Sequence, residues 1–273
     1  MDARAALSAD PAFLADVLAG LAAPIPAIPA RWLYDRRGSE LFEAITALPE
    51  YYPTRIERGL LERHSDEVAA IAGTGAAVIE FGSGSSTKTP ILLRSVEPSA
   101  YVPIDISGDF LRDAAAALQA AFPALPIHPV EGDFMRPITL PPAVAGLGKL
   151  GFFPGSTIGN LVARTAVDLL RAMKDTLGVG AHLLIGMDRI KDEAVLLRAY
   201  NDAAGVTAEF NLNLLRRINS ELGGTIPVDA FRHRAIWNDR MSRIEMHLEA
   251  VRAVDFTISG QSFAFAAGAT IHT

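Results

Sequence analysis

Val78-Ile79-Glu80-Phe81-Gly82-Ser83-Gly84-Ser85-Ser86-Thr87-Lys88-Thr89 joins a largely apolar run to a turn rich in glycine and hydroxyl groups. The run 76–81 reads as a parallel strand covered on both faces, and Gly82 and Gly84 let the backbone turn where a side chain would obstruct a ligand. Pro90-Ile91-Leu92-Leu93 then starts a helix whose free N–H groups can face that ligand. A turn of this kind also serves simply to join a strand to a helix. Its spacing fits neither G-x-G-x-x-G nor G-x-x-x-x-G-K-[ST], which argues against a dinucleotide oxidoreductase and against a triphosphate site.

Two further strand ends narrow the ligand. Ala100-Tyr101-Val102-Pro103-Ile104-Asp105 ends in a carboxylate that suits a ribose diol, although such a group also caps helices or closes solvated strand ends. Pro126-Ile127-His128-Pro129-Val130-Glu131-Gly132-Asp133-Phe134 ends in a carboxylate that can accept from an adenine amino group and a ring that can cover the base. Ligands of open α/β sheets bind outside the carboxyl ends of the strands, so three suitable ends in chain order outweigh any one of them. The ligand they suggest is S-adenosyl-L-methionine.

Strand and helix patterns alternate from 76 to about 187, with strands expected at 76–81, 100–105, 126–130, 148–153 and 181–187. This argues for an α/β fold with a parallel, Rossmann-like sheet and right-handed crossovers. Ahead of it lie a helical leader over 11–22, an extended link enforced by Pro24, Pro26 and Pro29, and helices over 39–45 and 54–70. Beyond 191 the rhythm changes: 193–203 and 210–222 read as helices, and 244–253 and 255–265 as alternating, antiparallel strands. A second, smaller α+β domain is therefore expected. The domains are placed at 55–190 for cofactor binding, and at 24–54 with 191–273 for substrate binding.

The 273 residues are half hydrophobic, enough for a sizeable core, and carry a net charge of −6 with Lys and Arg scattered. That distribution offers no basic stripe for nucleic acid. The chain has no cysteine, which excludes disulfides and thiolate metal sites and suits a reducing compartment. Met1-Asp2-Ala3-Arg4-Ala5-Ala6-Leu7 lacks the features of a signal peptide, and no apolar run reaches membrane-spanning length. A cytoplasmic location without a membrane partner is expected. The histidines show no H-x-x-x-H pair, and His247-Leu248-Glu249 lacks the cysteine pair a zinc deaminase needs, so no metal is expected.

The fourth strand, Lys149-Leu150-Gly151-Phe152-Phe153, runs into Pro154-Gly155-Ser156-Thr157-Ile158-Gly159-Asn160. Methyl transfer from a sulfonium is an in-line displacement, so here the protein has chiefly to hold a neutral nucleophile and exclude water. Asn160 can orient a substrate by donating and accepting together; its competing reading is the cap of the next helix. Tyr51 and Tyr52, with Tyr34, form a hydroxyl-bearing aromatic group able to face an ammonium, or merely to pack. Tyr200-Asn201-Asp202 and Phe210-Asn211-Leu212-Asn213 read as polar faces of helices lining a wet cleft, with a plain solvated face as the alternative.

Trp32-Leu33-Tyr34-Asp35 with Gly38-Ser39, 48–55, Gly82-Ser83-Gly84 with Lys88-Thr89, 155–160, 203–208 and Arg243-Ile244-Glu245-Met246 together resemble the histidine Nα-methyltransferase family of ergothioneine biosynthesis. The ordered matches run from about 31 to Thr273. The resemblance implies a class I methyltransferase sheet and a reaction that converts L-histidine to hercynine with three molecules of S-adenosyl-L-methionine. It implies cofactor contacts from Gly82, Ser83, Gly84, Lys88, Asp105, Asp133 and Phe134. It gives Asn160 and Tyr200 the substrate carboxylate, Tyr51 and Met246 the side-chain pocket, and places catalytic Tyr34 beside the amine with Gly155 and Thr157. Such sheets have seven strands where five are read here, so the last two are expected beyond Thr273, as are the family's imidazole-recognising Glu and Ser.

Overall fold

The computed structural model describes residues 10–84 and 87–273, so Ser85 and Ser86 of the glycine-rich turn and the Met1 to Leu7 stretch lie outside the described residues. The chain divides into two compact units. One spans Tyr52–Arg189; the other joins the chain up to Tyr51 with Ile190–Thr273. Helices α1 (Pro11–Ala22) and α2 (Arg36–Thr46) come first. The Tyr52–Arg189 unit follows with α3 (Tyr52–Ala72), β1 (Ala77–Phe81), α4 (Thr89–Val96), β2 (Ala100–Asp105), α5 (Gly108–Ala121), β3 (Val130–Glu131), β4 (Lys149–Phe153), α6 (Ala163–Leu177) and β5 (His182–Ile185).

All five strands are parallel, in the order β3-β2-β1-β4-β5. The direction of winding reverses between β1 and β4, which puts the crevice of the sheet at their carboxyl ends. Ile79, Phe81, Val102, Ile104 and Phe153 pack on one face with Leu169, Met173 and Leu177 of α6. Val78, Tyr101, Leu150 and Phe152 pack on the other with Leu61 of α3, Leu92 and Leu93 of α4 and Leu118 of α5. Burial on both faces is why these strands read as continuous apolar runs. The third strand is shorter than the expected 126–130: only Val130 and Glu131 pair fully, after a single bridge at Ile127. Pro126 and Pro129 have no N–H to give to a ladder.

The second unit continues with α7 (Glu193–Ala199), α8 (Val206–Leu222), β6 (Phe231–Asn238), β7 (Arg243–Ala250), β8 (Val254–Ile258), β9 (Gln261–Phe265) and β10 (Thr270–His272). β10, β7 and β6 form one antiparallel sheet, and β8 with β9 a separate hairpin. The structure corrects several expectations. The stretch 255–265 is not one strand but two, folded over Ser259 and Gly260, both with positive φ. β6 was not anticipated, because Arg232, His233 and Arg234 interrupt its apolar alternation. The helix expected over 193–203 stops at Ala199, since the Asp202 carboxylate is used to cap α8 by accepting from the Val206 and Thr207 N–H groups at 2.9 and 2.8 Å.

The leader helix α1 is part of this unit's packing. Asp16 accepts from Arg31 at 2.6 Å and from the Trp32 indole at 2.8 Å, and the Phe13 and Trp32 rings lie 4.7 Å apart. Arg217 of α8 covers the Phe13 ring and donates to the Trp32 carbonyl at 2.9 Å. No helix among the described residues is long and apolar enough to cross a membrane.

Candidate active site

Gly82 and Gly84 leave β1 with φ of +69° and +50°, in the left-handed region that glycine occupies without strain. The Gly82 and Ser83 N–H groups donate to the Ile104 carbonyl at 2.8 and 3.1 Å, holding the turn against the end of β2. Asp105 accepts from the Gly84 N–H and the Ser107 N–H, each at 2.9 Å. It is not the cap of α5, a place taken by Ser107; its carboxylate fastens two loops together. Burial raises its pKa from the ordinary aspartate value, against the pull of those backbone donors. A Cβ on Gly82 would come within 3.2 Å of the Phe134 ring, so this ring lies against bare backbone. Phe134 also meets Phe153 edge-on at 5.5 Å, and Asp133 accepts from the Met135 N–H at 2.9 Å. The structure thus gathers Gly82, Ser83, Gly84, Asp105 and Phe134 at the ends of β1 and β2. A carboxylate beside a glycine turn and an aromatic ring is a donor set that fits a nucleoside.

Lys88 stands just before α4, where its ammonium pairs with Glu57 of α3. Both carboxylate oxygens of Glu57 accept from the Gly155 N–H, at 2.8 and 3.0 Å. Glu57 was missed in the sequence; 98 positions separate it from Gly155, and no local motif announces it. The loop after β4 is conformationally unusual: Gly155 has φ +83° and Ser156, with a side chain, φ +58°. Ser156 is held there by the Gly159 N–H on its carbonyl at 2.8 Å and the Asp188 N–H on its hydroxyl at 2.9 Å. Thr157 donates to the Pro154 carbonyl at 3.2 Å. Asn160, exposed, ends the single turn Thr157–Asn160, and α6 starts three residues later after Val162, so Asn160 is not the cap of that helix.

Within the apolar run of β1, Glu80 is 2 % exposed. Thr89 and the Tyr101 hydroxyl donate to one of its oxygens at 2.7 and 2.5 Å. Burial drives its pKa up from 4.5 to about 7; the two hydrogen bonds and nearby Lys88 pull the other way and are outweighed. A carboxyl group poised near neutrality thus lies beneath the glycine turn.

In the other unit, Tyr34 meets Phe42 and Phe210 edge-on, each at 5.5 Å. Tyr51 approaches Phe42 at 6.2 Å and Tyr200 at 6.1 Å. One aromatic cluster therefore holds Tyr34, Tyr51 and Tyr200. Tyr52, grouped with them in the sequence, instead bonds the Asp188 carboxylate. Tyr200 is fixed through its main chain: its carbonyl faces His233 Nε2 at 2.8 Å, while His233 Nδ1 meets the Asn211 amide at 3.0 Å. Nε2 must donate to a carbonyl, so the ring is neutral with Nδ1 accepting, and burial lowers its pKa accordingly. Met246 lies on β7 opposite Ala235.

The wet cleft expected from the polar residues of this unit is overturned at Asp202, Asn211 and Asn213, which are buried, while Asn201 is exposed. Asn211 is fully buried and also donates to the His247 carbonyl at 3.2 Å and accepts from Thr273 at 2.7 Å. Asn213 donates at 2.8 Å to Asp35, the residue that caps α2 through the Gly38 N–H. With Asp202 capping α8, these groups act as buried, satisfied struts.

Glu245, His247 and His272 bring potential metal donors within 4.8 Å of one another. The imidazoles, however, stack at 4.9 Å with only 20° between their planes, and a metal ion must lie near the plane of each ring it binds. Glu245 is already held by Arg243 at 2.6 Å, Asn238 at 2.9 Å and His247 at 3.1 Å. Burial works to raise its pKa, but those donors win and hold it down at about 2. Glu249, which shares the strand face, pairs with Arg232 and Arg234 at 2.7 and 3.2 Å.

Residues 13–273 match the family described as histidine-specific, SAM-dependent methyltransferase. The histidine N-alpha-methyltransferase of Mycolicibacterium smegmatis is 45 % identical over 250 residues, covering 90 % of this chain and 77 % of its own. That of Mycobacterium tuberculosis is 42 % identical over 254 residues, covering 89 % and 78 %. Ergothioneine biosynthesis protein 1 of Neurospora crassa is 35 % identical over 204 residues, covering 72 % of this chain and 23 % of its own.

Proposed function

We propose, for a chain that belongs to the family of histidine-specific, S-adenosylmethionine-dependent methyltransferases, that it transfers three methyl groups in succession to the α-amine of L-histidine. The product is hercynine, on the route to ergothioneine. The family match over residues 13–273 is the observation that carries this reading. When bound, S-adenosyl-L-methionine supplies an electrophilic methyl carbon on a sulfonium.

The chain's own residues then have to bind, orient and keep water out. Asp105, beside the Gly84 turn, is assigned the ribose hydroxyls, and Phe134 with Asp133 the adenine; Gly82, Ser83 and Gly84 supply close backbone approach, and Lys88 takes the cofactor carboxylate. Asn160 and Tyr200 are assigned the carboxylate of the amino acid, Tyr51 and Met246 its side chain, and Gly155 and Thr157 its amine. Tyr34 is assigned the catalytic place beside the amine: its ring is fixed edge-on by Phe42 and Phe210, which supports a directed hydroxyl. Each methylation needs a lone pair on nitrogen, so a proton leaves before each attack, and a hydroxyl partner orients the lone pair. The scattered cationic side chains and the absence of cysteine support a small-molecule substrate and a cytoplasmic location.

The test is to incubate the protein with S-adenosyl-L-methionine and a mixture of the common amino acids and follow products by mass spectrometry. Mono-, di- and trimethylated histidine should appear in order, and Tyr34→Phe should slow turnover by roughly 100-fold or more. Methylation of a different amino acid, or of none, would overturn the assignment.

A further inference from the structure

Glu57 lies against the loops after β1, β4 and β5 together. It pairs with Lys88 after β1 and takes the Gly155 N–H after β4. A Cβ on Gly186, the residue after β5, would fall 1.9 Å from its Oε1, so no side chain can stand there while Glu57 keeps its place. The Lys88 and Glu57 side chains are 16 % and 15 % exposed, which makes the pair far less screened than one on the surface.

We propose that Glu57 is the counter-charge and positioning residue of the cofactor site, and that its charge makes the site prefer the cationic cofactor to its neutral product. The inference rests on Lys88 serving the cofactor carboxylate. That carboxylate is common to S-adenosyl-L-methionine and S-adenosyl-L-homocysteine, so Lys88 attracts both alike. The sulfonium, present in the first and absent from the second, lies only three carbons further along the same chain. A bare Lys88 ammonium would repel it; an ammonium already neutralised by Glu57 does not. Glu57 therefore favours exchange of spent for fresh cofactor, which an enzyme that adds three methyl groups to one nitrogen requires repeatedly. Its second contact fixes the Gly155 amide, so the carboxylate aligns the loop assigned to the amine with the cation assigned to the cofactor.

Calorimetric titration of the whole protein with each cofactor form separates charge from scaffold. Glu57→Gln keeps an acceptor for Gly155 and removes the charge. It should weaken S-adenosyl-L-methionine by about tenfold while changing S-adenosyl-L-homocysteine by less than about threefold. Gly186→Ala, which displaces Glu57 without altering any charge, should weaken both forms and lower kcat through the Gly155 loop. Equal weakening of the two forms by Glu57→Gln, or no weakening, overturns the proposal. Wild-type protein that fails to bind S-adenosyl-L-methionine overturns the cofactor reading itself, and this inference with it.

Discussion

Glu80 and Glu245 are both buried, at 2 % and 7 % exposure, and they titrate in opposite directions. Glu80, at the end of β1, has two hydroxyl donors and is raised to about 7; Glu245, on β7, has a guanidinium, an amide and an imidazole and is lowered to about 2. Burial acts in the same sense on both. The partners decide: neutral hydroxyls stabilise a carboxylate less than a guanidinium in direct contact. One unit consequently keeps a proton-sensitive acid under its glycine turn, whereas the other locks a charge into its sheet.

Removing each carboxylate should show that asymmetry, and the largest effect is expected on β7. Glu245→Ala leaves Arg243 and His247 without their shared acceptor and should cost about 3 kcal/mol, lowering the melting temperature by roughly 5–10 °C. A loss near zero would mean that the Arg243 contact contributes nothing.

The next effect is in pH dependence and has the opposite sign for Glu80. In the folded chain Glu80 keeps its proton up to about 7, and in the unfolded chain only up to 4.5. Between these values the folded state holds more protons, so Glu80 lowers stability as pH rises through the window. Denaturant titrations at pH 5 and pH 8 should show a decline, roughly 2 kcal/mol of which disappears in Glu80→Gln. Glu245, depressed, stabilises above 4.5 and loses that contribution as pH falls toward 2. A parallel decline in wild type and Glu80→Gln would show that Glu80 is ionised throughout.

The smallest effect sharpens the role of charge near Glu80. Lys88 pulls its pKa downward, so Lys88→Met should move the Glu80 titration to higher pH, by less than the burial effect itself. Carboxyl-carbon NMR of the folded protein would report it; a downward move would put another cation in charge of that carboxyl.

The sheet was legible because strands covered on both faces leave unbroken apolar runs, as in 76–81 and 148–153, punctuated by Gly82 and Pro154. The histidine-specific methyltransferase family, and the cofactor that goes with it, were legible from short ordered motifs, as the match over residues 13–273 shows. The half-exposed sheet was harder. Arg232 and Arg234 on β6 reach Glu249 across the strand pair, so their charges mark a cross-strand pair and not a loop. Asn211 and Asn213 looked solvated because their partners, His233 and Asp35, are far away in sequence. Glu57 was invisible for the same reason. A motif shows which backbone turns, but a carboxylate acting at long range has no local signature.

The clamp of Asn211 and His233 on the Tyr200 carbonyl has a consequence in conformational entropy. Tyr200 follows the short helix α7 in a turn, where a backbone ordinarily samples several states. Neutral His233, read on one nitrogen as a donor and on the other as an acceptor, selects one of them. Ordering an aromatic side chain at the moment of association costs about 0.5–1.5 kcal/mol. With the main chain already tied and the ring against Tyr51, much of that ordering is completed when the protein folds, which favours the role proposed above for Tyr200.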